Sequence, residues 1–295
     1  METRHLRYFL AITDSGSFTR AAIKLNVAQP ALSQALGRME KELGVKLFER
    51  SRRGAVLTDA GAAIVDDIRL SMARIDSAAS RARDIGTHRA GRLSIGFVSA
   101  VLFDTLPRAL AALRVALPGV DLVLREMSNE EQARALETGE IDLGLLHTPV
   151  TIVGKMNEKL IRRDPLVAVL PTAISVGIDN KISLQDLAKE GLVWFPEKQL
   201  PQLRAGILST FRQAGIELQI VQDANRTLTV IACVAAGCGF SLLPGTVRSM
   251  QFHGVQFCEI EDGQLLPQFE LSAIWPIRSR LTLADRFAAL IPGVI

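Results

Sequence analysis

Near the start of the chain, four polar residues and a proline have the types and spacing needed to contact DNA. The set consists of Gln29, Pro30, Ser33, Gln34 and Arg38. Gln can pair with adenine edges in the major groove, and Ser can reach a base or a phosphate. The apolar residues of the same segment, Leu32, Leu36, Met39 and Leu43, are spaced four, three and four positions apart. That period predicts one helix with a buried apolar stripe and the polar set on or near the opposite face.

Two shorter segments before this helix are predicted to position it. Apolar residues from Leu6 to Ile12 predict a first helix, and Ser17 is expected to cap a second helix that ends near Leu25. The third helix opens at Gln29-Pro30, where the missing proline N–H costs nothing in the first turn. Two helices separated by about three residues are typical of a helix-turn-helix. Ser17, Thr19 and Arg20 extend the expected set of DNA contacts.

An alternating segment follows, in which Val45 to Leu57 surround a glycine turn at Gly54. It predicts a small β-wing with Arg50, Arg52 and Arg53 at or beside its tip. Such a tip can reach phosphates or a flanking minor groove. The alternative is that these arginines are only solvent-exposed side chains of a turn and do not contact DNA.

The distribution of charge agrees with a nucleic-acid role for the first part of the chain. Lys and Arg total 34 against 31 Asp and Glu. Residues 1–90 hold 15 basic and 10 acidic side chains, whereas residues 91–295 hold 19 and 21. A net charge of +5 beside one of −2 suggests that only the first part meets a polyanion, although a chance imbalance is the alternative.

Composition excludes several other classes of protein. A hydrophobic content of 48% with 22% charged residues is unlike a disordered chain. Three cysteines exclude a disulfide-stapled secreted module, and the first residues show no export signal, so we expect a cytoplasmic protein. Residues 227–247 are mostly apolar, but Gly237, Gly239 and Pro244 divide them into a helix and a strand rather than a membrane span.

A long helix is predicted from Ala62 to about Ile85, capped by Thr58 and followed by a hinge at residues 86–91. Its near-heptad stripe consists of Ile64, Ile68, Met72, Ile75, Ala79 and Ala82. A helix about 40 Å long is too long to bury this stripe against a 57-residue head. The simplest partner is the same helix from a second copy.

Beyond Arg92 the chain alternates between strands and helices, which predicts two α/β lobes with mostly parallel sheets. The strands of lobe I are expected at 93–98, 120–125, 141–146 and 269–275, and those of lobe II at 166–170, 192–195, 218–221 and 240–243. Two such lobes commonly bind a small molecule between them, at the carboxyl ends of strands.

Sequence motifs along the whole chain resemble those of the LysR-type transcriptional regulators. They include Gly16-Ser17-Phe18-Thr19-Arg20-Ala21-Ala22, Ala28-Gln29-Pro30-Ala31-Leu32-Ser33-Gln34, Leu43-Gly44-Val45-Lys46-Leu47-Phe48-Glu49-Arg50, Gly139-Glu140-Ile141-Asp142-Leu143-Gly144-Leu145 and Val234-Ala235-Ala236-Gly237-Cys238-Gly239-Phe240. The resemblance implies base or phosphate contacts for Gln29, Pro30 and Ser33, and a wing position for Arg52 and Arg53. Ala28 departs from the Ser of many members and cannot cap the helix.

The fold that the resemblance implies is an α/β multidomain protein. It has a winged helix-turn-helix at 1–57, a linker and dimerisation helix with a hinge at 58–90, and a two-lobed effector domain of periplasmic-binding-protein type at 91–295. Lobe I comprises 91–163 and 267–295, and lobe II comprises 164–266.

Within the effector domain, Gly96-Phe97-Val98-Ser99 and Leu106-Pro107 look most like the branch that senses aromatic acids and their ring-cleavage products. Ser99 and Ser128 lie at predicted helix starts, where hydroxyls and free N–H groups suit a carboxylate. Ser128-Asn129-Glu130-Glu131 is also a capping box that needs no ligand.

Further candidates surround the same crevice. His147 follows the third strand, where related sensors often place a basic residue; it would charge only partly near neutral pH, or be a satisfied loop histidine. The other candidates for the effector site are Ala100, Asn129, Phe195, Pro196, Asn225, Thr227 and Phe240.

No residues carry an enzymatic interpretation. Gly237-Cys238-Gly239 lies after a helix and before a strand, the reverse of a dinucleotide fingerprint, and the cysteines lack metal-ligand spacing. We therefore expect no catalytic residue, cofactor or metal. The expected partners are double-stranded DNA, a small carboxylate and further copies of the chain, as a dimer or tetramer, with RNA polymerase as a further candidate and no membrane. The alternative is a ligand-binding module similar to a solute receptor, with a head that serves interaction only.

Overall fold

The computed structural model of the chain describes residues 1–51, 54–86, 91–177 and 179–293. The chain forms two compact units. The first comprises Met1–Arg83 together with Thr138–Glu140, and the second comprises Asp84–Glu137 and Ile141–Ile295. Each unit has a hydrophobic core of its own, and apart from residues 138–140 lobe I and lobe II both lie in the second unit.

Three helices and a two-stranded ribbon form the head. They are α1 (Thr3–Ser15), α2 (Phe18–Lys24), α3 (Gln29–Leu43), β1 (Phe48–Ser51) and β2 (Gly54–Leu57), with β1 and β2 antiparallel. Ser17 caps α2 by accepting the Arg20 N–H, whereas Ala28 makes no side-chain cap at α3. Both features agree with the sequence, and the predicted winged helix-turn-helix is confirmed.

One position of the predicted α3 stripe is wrong. Leu32, Leu36 and Met39 are buried, but Leu43 is 42% exposed and the buried residue near the end of the helix is Glu40. The helix ends at Leu43 because Gly44 follows in a left-handed conformation, with φ of +72°. The last turn of α3 therefore lies outside the core, although the sequence pattern predicted that Leu43 would be buried there.

The linker helix α4 (Asp59–Gly86) has 28 residues and is capped by Thr58, whose Oγ1 accepts the Gly61 N–H at 3.1 Å. At 1.5 Å per residue it is about 42 Å long. Two ion pairs fix it to α1, one between Arg7 and Asp76 and one between Arg69 and Asp14.

The stripe on α4 divides into two halves, and the head covers only the first, in line with the expectation that the head is too small to bury the whole stripe. Ile64, Ile68 and Met72 pack into the head core. The second half of the stripe, Ile75, Ala79 and Ala82, is exposed. The head thus covers the first half of the stripe and leaves the second half to solvent.

Lobe I is built on a five-stranded sheet. Its strands are β3 (Arg92–Phe97), β4 (Asp121–Glu126), β5 (Leu143–Thr148), β6 (Met156–Asp164) and β13 (Phe269–Pro276), and its helices are α5 (Thr105–Ala116), α6 (Asn129–Thr138) and α10 (Leu283–Leu290). The order of the strands in the sheet is β4-β3-β5-β13-β6. A short 3-10 helix, Ser99–Phe103, follows β3.

Lobe II contains β7 (Leu166–Pro171), β8 (Lys181–Ile182), β9 (Leu192–Trp194), β10 (Ile220–Asp223), β11 (Ser241–Pro244) and β12 (Val255–Ile260), with helices α7 (Leu184–Leu187), α8 (Pro201–Gln213) and α9 (Thr227–Ala235). One sheet has the order β11-β7-β12-β8. The pair β10-β9 joins it through a single bridge between Leu192 and Phe240.

In each lobe's sheet all strands but one run in the same direction, but the odd strand lies between two neighbours, so the sheets are mixed and not mostly parallel as expected. In lobe I only β13 opposes its neighbours β5 and β6, and in lobe II only β7 opposes β11 and β12. Both exceptions are strands through which the chain enters one lobe from the other. A strand that arrives in this way is not bound by the parallel direction that a strand-helix-strand crossover imposes.

The apolar stretch 227–247 folds as the sequence predicts, into α9 and β11. Gly239 separates them with φ of +143°, and a Cβ there would lie 2.5 Å from the Gly191 carbonyl oxygen. This glycine therefore serves close backbone packing. In the described part of the chain, no helix combines the length and apolarity needed to cross a bilayer.

Candidate functional site

The solvent-facing side of α3 carries the polar residues expected to contact DNA. Pro30, Gln34 and Arg38 are exposed, and Gln29 and Ser33 are half-buried. Leu32 and Met39 occupy the opposite face and are fully buried in the head core. Because the core fixes the rotation of α3, the four polar side chains and Pro30 are brought to one surface.

Residues at the start of α2 divide between structure and surface. Ser17 is half-buried and its hydroxyl oxygen accepts the Arg20 N–H at 3.4 Å, so it has a structural role. Thr19 and Arg20 are exposed. On the wing, Arg52 and Arg53 lie outside the described residues, as does the Arg50 side chain, so their expected roles stay predictions.

Glu40 anchors the wing to α3, a contact that the sequence pattern did not predict. Its carboxylate accepts the backbone N–H groups of Leu47 at 2.9 Å and Phe48 at 3.4 Å, and the Lys46 ammonium at 2.6 Å. Burial raises the pKa of Glu40, but these hydrogen bonds outweigh it and hold the pKa below its ordinary value. The acidic residue inside an apolar stripe was the signal that could have revealed this contact.

In the second unit, a cleft lies between lobe I and lobe II. It is lined by Val98, Ser99, Met127, Ser128, Asn129 and His147 from lobe I and by Phe195, Gln199, Leu200, Asn225, Arg226 and Thr227 from lobe II. Seven of these residues were predicted for the effector site: Ser99, Ser128, Asn129, His147, Phe195, Asn225 and Thr227. The structure therefore brings most of the predicted set together.

Three predicted residues are not among the lining. Phe240 is fully buried in the core of lobe II, where it bridges Leu192. Ala100 is buried in the core of lobe I, and Pro196 is half-buried beside Phe195 without lining the cleft. These residues were predicted for the site because they lie near strand ends. In the structure Phe240 and Ala100 pack in the cores of their lobes, and Pro196 lies next to the cleft without lining it.

On the lobe I wall, two carboxylates already occupy the expected donors. The Ser99 hydroxyl donates to Glu126 Oε1 at 2.5 Å. Ser128 forms the capping box: its backbone N–H donates to Glu131 Oε2 at 2.6 Å, and its Oγ accepts the Glu131 N–H at 3.2 Å. The capping box, which was the alternative to a ligand-binding role for Ser128, is therefore present. Ser128 also lines the cleft.

Asn129 holds the start of α6 against β5. Its Nδ2 donates to the His147 carbonyl oxygen at 2.6 Å, and its Oδ1 accepts the His147 N–H at 3.1 Å. Both ends of the amide are therefore used by the backbone. This buried residue, 5% exposed, fixes the lobe I wall of the cleft.

His147 does not have the partial charge expected from the sequence. Burial lowers its pKa to about 4, helped by the nearby Arg162 charge and opposed by a hydrogen bond with the Glu270 backbone. The ring packs at 4.7 Å from that of Phe269, and its Nδ1 is buried without a partner. At neutral pH His147 is a neutral wall residue.

Arg226 is the lining residue of most consequence that the sequence analysis missed. It extends from the start of α9, and its Nη2 lies 3.1 Å from Glu131 Oε2 on lobe I. Its Nε lies 4.0 Å from Glu126 Oε1. No local pattern could have found these contacts, because the partners are about a hundred residues apart in sequence.

Comparison with known proteins agrees with both halves of this description. Residues 3–62 match the family described as "Bacterial regulatory helix-turn-helix protein, lysR family", and residues 86–292 match "LysR substrate binding domain". The two matches leave little of the chain outside the family. They exclude the alternative of a solute-receptor module whose head serves interaction only.

Individual relatives extend the similarity over nearly the whole chain. The uncharacterized HTH-type transcriptional regulator YnfL of Escherichia coli is 33% identical over 277 residues, which cover 94% of this chain and 92% of YnfL. The regulator BenM of Acinetobacter baylyi is 30% identical over 264 residues, covering 89% and 86%.

A solved structure gives the same result in three dimensions. The structure of full-length CbnR complexed with its target DNA superimposes with a TM-score of 0.76 at 26% identity, covering 99% of each chain. The relatives are transcriptional regulators and not enzymes. The chain therefore belongs to the LysR family and is a DNA-binding transcriptional regulator with an effector-binding domain.

Proposed function

We propose that this regulator is controlled by a small carboxylate, an aromatic or dicarboxylic acid, that binds in the cleft between lobe I and lobe II. The observation that carries the proposal is the lining itself, in which Ser99 and Ser128 face the cleft from one lobe and Arg226 and Thr227 from the other. Phe195 supplies an aromatic wall.

Motifs in lobe I support the aromatic-acid branch within this proposal. Gly96-Phe97-Val98-Ser99 leads directly into the cleft, since Val98 and Ser99 both line it. Ser99 donates to Glu126, so an effector that uses the Ser99 hydroxyl as a donor has to replace that bond. Glu126 is thus a definite competitor of the effector for Ser99.

Calorimetry with benzoate and with cis,cis-muconate tests the effector class and the role of Ser99. We expect heat from at least one acid with the wild type and a weaker response from Ser99→Ala. Ser209→Ala, an exposed serine on α8, is the matched control. Equal heats from the wild type and Ser99→Ala would remove Ser99 from the site, and the absence of heat from every acid would exclude the class.

The DNA-binding proposal assigns base and phosphate contacts to the start of α2, to the polar face of α3 and to the wing. Its residues are Ser17, Thr19, Arg20, Gln29, Pro30, Ser33, Gln34, Arg38, Arg50, Arg52 and Arg53. A gel-shift titration at two salt concentrations tests it, since neutralised phosphates make affinity fall with salt. Retention of full affinity at the higher salt, or no preference among sequences, would contradict it.

The assembly we propose is a homodimer through α4, completed to a tetramer through the effector domains. The exposed second half of the stripe, Ile75, Ala79 and Ala82, supports pairing with the same helix of another copy. A dimer places two recognition helices in successive major grooves of a dyad-symmetric site. In this proposal the head comprises residues 1–57, the linker 58–90 and the effector domain 91–295. The protein acts in the cytoplasm, and RNA polymerase is a further proposed partner.

A further inference from the structure

An ion pair crosses the cleft between the two lobes. The Arg226 guanidinium, on lobe II, lies 3.1 Å from Glu131 and 4.0 Å from Glu126, both on lobe I. The side chain of Arg226 is 30% exposed and that of Glu131 is 54% exposed. An ion pair with this exposure contributes little to stability, so its exchange for another partner costs little.

The two carboxylates remain bonded without Arg226. Glu131 also accepts the Ser128 N–H at 2.6 Å, and Glu126 also accepts the Ser99 hydroxyl at 2.5 Å. The Ser128 N–H is the largest of the causes that lower the pKa of Glu131. The other contact of Arg226 is a neutral carbonyl oxygen, that of Asn225 at 3.4 Å. Arg226 is therefore the member of this cluster that can change partner.

The positive end of the cleft lies on the lobe II wall. Arg226 immediately precedes α9, a nine-residue helix whose first turn has no side-chain cap, and Thr227 at its start lines the cleft. Free N–H groups and the helix dipole add to the Arg226 charge there. On lobe I, by contrast, Glu131 and Glu126 occupy the corresponding donors.

The amount of positive charge limits the ligand. Among the described residues that line the cleft, Arg226 is the one charged cation, because His147 is neutral. Two carboxylates lie beside it, so Arg226 can offset the repulsion on one ligand carboxylate, whereas a second anionic group would meet that repulsion with no further cation in the described lining to offset it. The rest of the lining includes the apolar side chains Val98, Met127, Phe195 and Leu200.

We propose that Arg226 receives the carboxylate of a monoanionic acid with an apolar body, and that this carboxylate replaces Glu131 and Glu126 as the partner of the guanidinium. The inference rests on the proposed function and narrows it from aromatic or dicarboxylic acids to monocarboxylates such as benzoate. Binding exchanges an interlobe ion pair for a contact between ligand and lobe II. Ligand occupancy is thereby coupled to the contact between the lobes.

Calorimetry on the full chain tests the assignment, with benzoate, its uncharged analogue benzamide, and the dianion cis,cis-muconate as probes. Arg226→Gln is compared with Arg248→Gln, which breaks an exposed ion pair to Glu259 elsewhere in lobe II. We expect Arg226→Gln to weaken benzoate binding by about tenfold or more, the scale of a charge-assisted hydrogen bond, without changing benzamide binding. Arg248→Gln should match the wild type.

A second pair of variants tests the exchange itself. Glu131→Gln frees Arg226, whereas Glu130→Gln removes the same charge from the same helical turn, where Glu130 pairs with Arg134 instead. We expect tighter benzoate binding in Glu131→Gln alone. In the wild type we also expect muconate to bind more weakly than benzoate. The affinity for muconate should increase more than that for benzoate in Glu131→Gln.

Each contrary outcome has a separate meaning. Unchanged benzoate binding in Arg226→Gln, or equal effects of Glu131→Gln and Glu130→Gln, overturns the role of Arg226. If Ser99→Ala loses acid binding at the same time, the proposed effector class survives. Muconate binding more tightly than benzoate overturns the monoanion assignment. Failure of the wild type to bind any acid, with gel-shift activity intact, overturns the effector class and this inference together.

Discussion

On the exposed face of α3, the side-chain amide of Gln29 donates to the Ser33 hydroxyl oxygen at 3.0 Å, one helical turn further on. Both side chains are half-buried, so the bond holds the Gln29 amide in one orientation before DNA is present. The Ser33 oxygen accepts this bond and keeps its own proton available to donate. The two residues thus act as one preorganised hydrogen-bonding unit.

Gln29→Ala and Ser33→Ala should each relax operator specificity, and their effects should not be additive. Each substitution removes one polar contact and also frees the partner side chain, so the double variant should lose less than the sum of the two. The loss of discrimination for one base pair should be about 1–3 kcal/mol. Gel shifts with a selected operator and with a scrambled duplex measure it. Arg38→Ala should instead lower the affinity for both duplexes, and additive losses would contradict the coupling.

Local patterns predicted the head and the helical stripes well, because their information lies within a few residues. Ser17, Thr58 and the Leu32 to Met39 stripe act through neighbours one turn away, and the structure confirms them. Strand β6 was missed. It is an edge strand of the lobe I sheet, and its polar sequence, Met156–Asp164, lacks the apolar run of a central strand.

Glu40→Gln should destabilise the contact between α3 and the wing by about 1–3 kcal/mol at neutral pH, the cost of weakening a buried charged acceptor. Because the folded pKa lies below the ordinary value, the stabilisation is complete above about pH 4.5 and is lost as the pH falls through the folded pKa. Hydrogen exchange at the Leu47 and Phe48 amides measures it. The Leu47 and Phe48 amides should exchange faster in the variant than in the wild type at pH 7 and still at about pH 5. Below that pH the difference between the two exchange rates should become smaller.

The control for this experiment is Glu49→Gln, which removes a nearby exposed carboxylate on β1. It should leave the exchange of both amides unchanged. Equal protection in Glu40→Gln and in the wild type would show that the carboxylate charge is not needed at this contact.

Ile75→Lys should weaken self-association of the chain. Ile75 is 43% exposed and begins the half of the stripe that the head does not cover. A buried lysine in a paired-helix interface carries an uncompensated charge, so we expect the dimer dissociation constant to rise at least about tenfold. Sedimentation equilibrium measures it. Asp66→Lys, an exposed position half a turn away around the helix, serves as the control, and equal behaviour of the two variants would place the interface elsewhere.

The His147 ring should remain neutral down to about pH 4. Its folded pKa is lowered from 6.5, so protons favour the unfolded chain, and stability of the effector domain should fall as the pH drops from about 6.5 to about 4. Ring-nitrogen NMR reports the charge directly, and His147→Gln should flatten the pH dependence of stability. A ring that titrates near pH 6.5 would restore His147 as a cationic candidate for the effector site.

The cleft was only partly predictable for a physical reason. Ser99, Ser128 and Thr227 follow from their positions at strand and helix ends, which local patterns reveal. Arg226 gains its importance from Glu131 on the other lobe, and that pairing depends on how distant elements fold together. His147 was assigned correctly to the wall, but burial and the nearby Arg162 determine its charge, and neither is visible in the sequence.

The anchoring of the wing by Glu40 has a practical consequence for engineering new operator preferences. Residues 29–38 carry the polar face of α3, while the carboxylate that holds Leu47 and Phe48 comes two positions later. A graft that exchanges only 29–38 for the corresponding segment of a relative keeps the wing attached to its new recognition surface. A graft that extends through residue 40 cuts that attachment unless the donor also supplies an acid there.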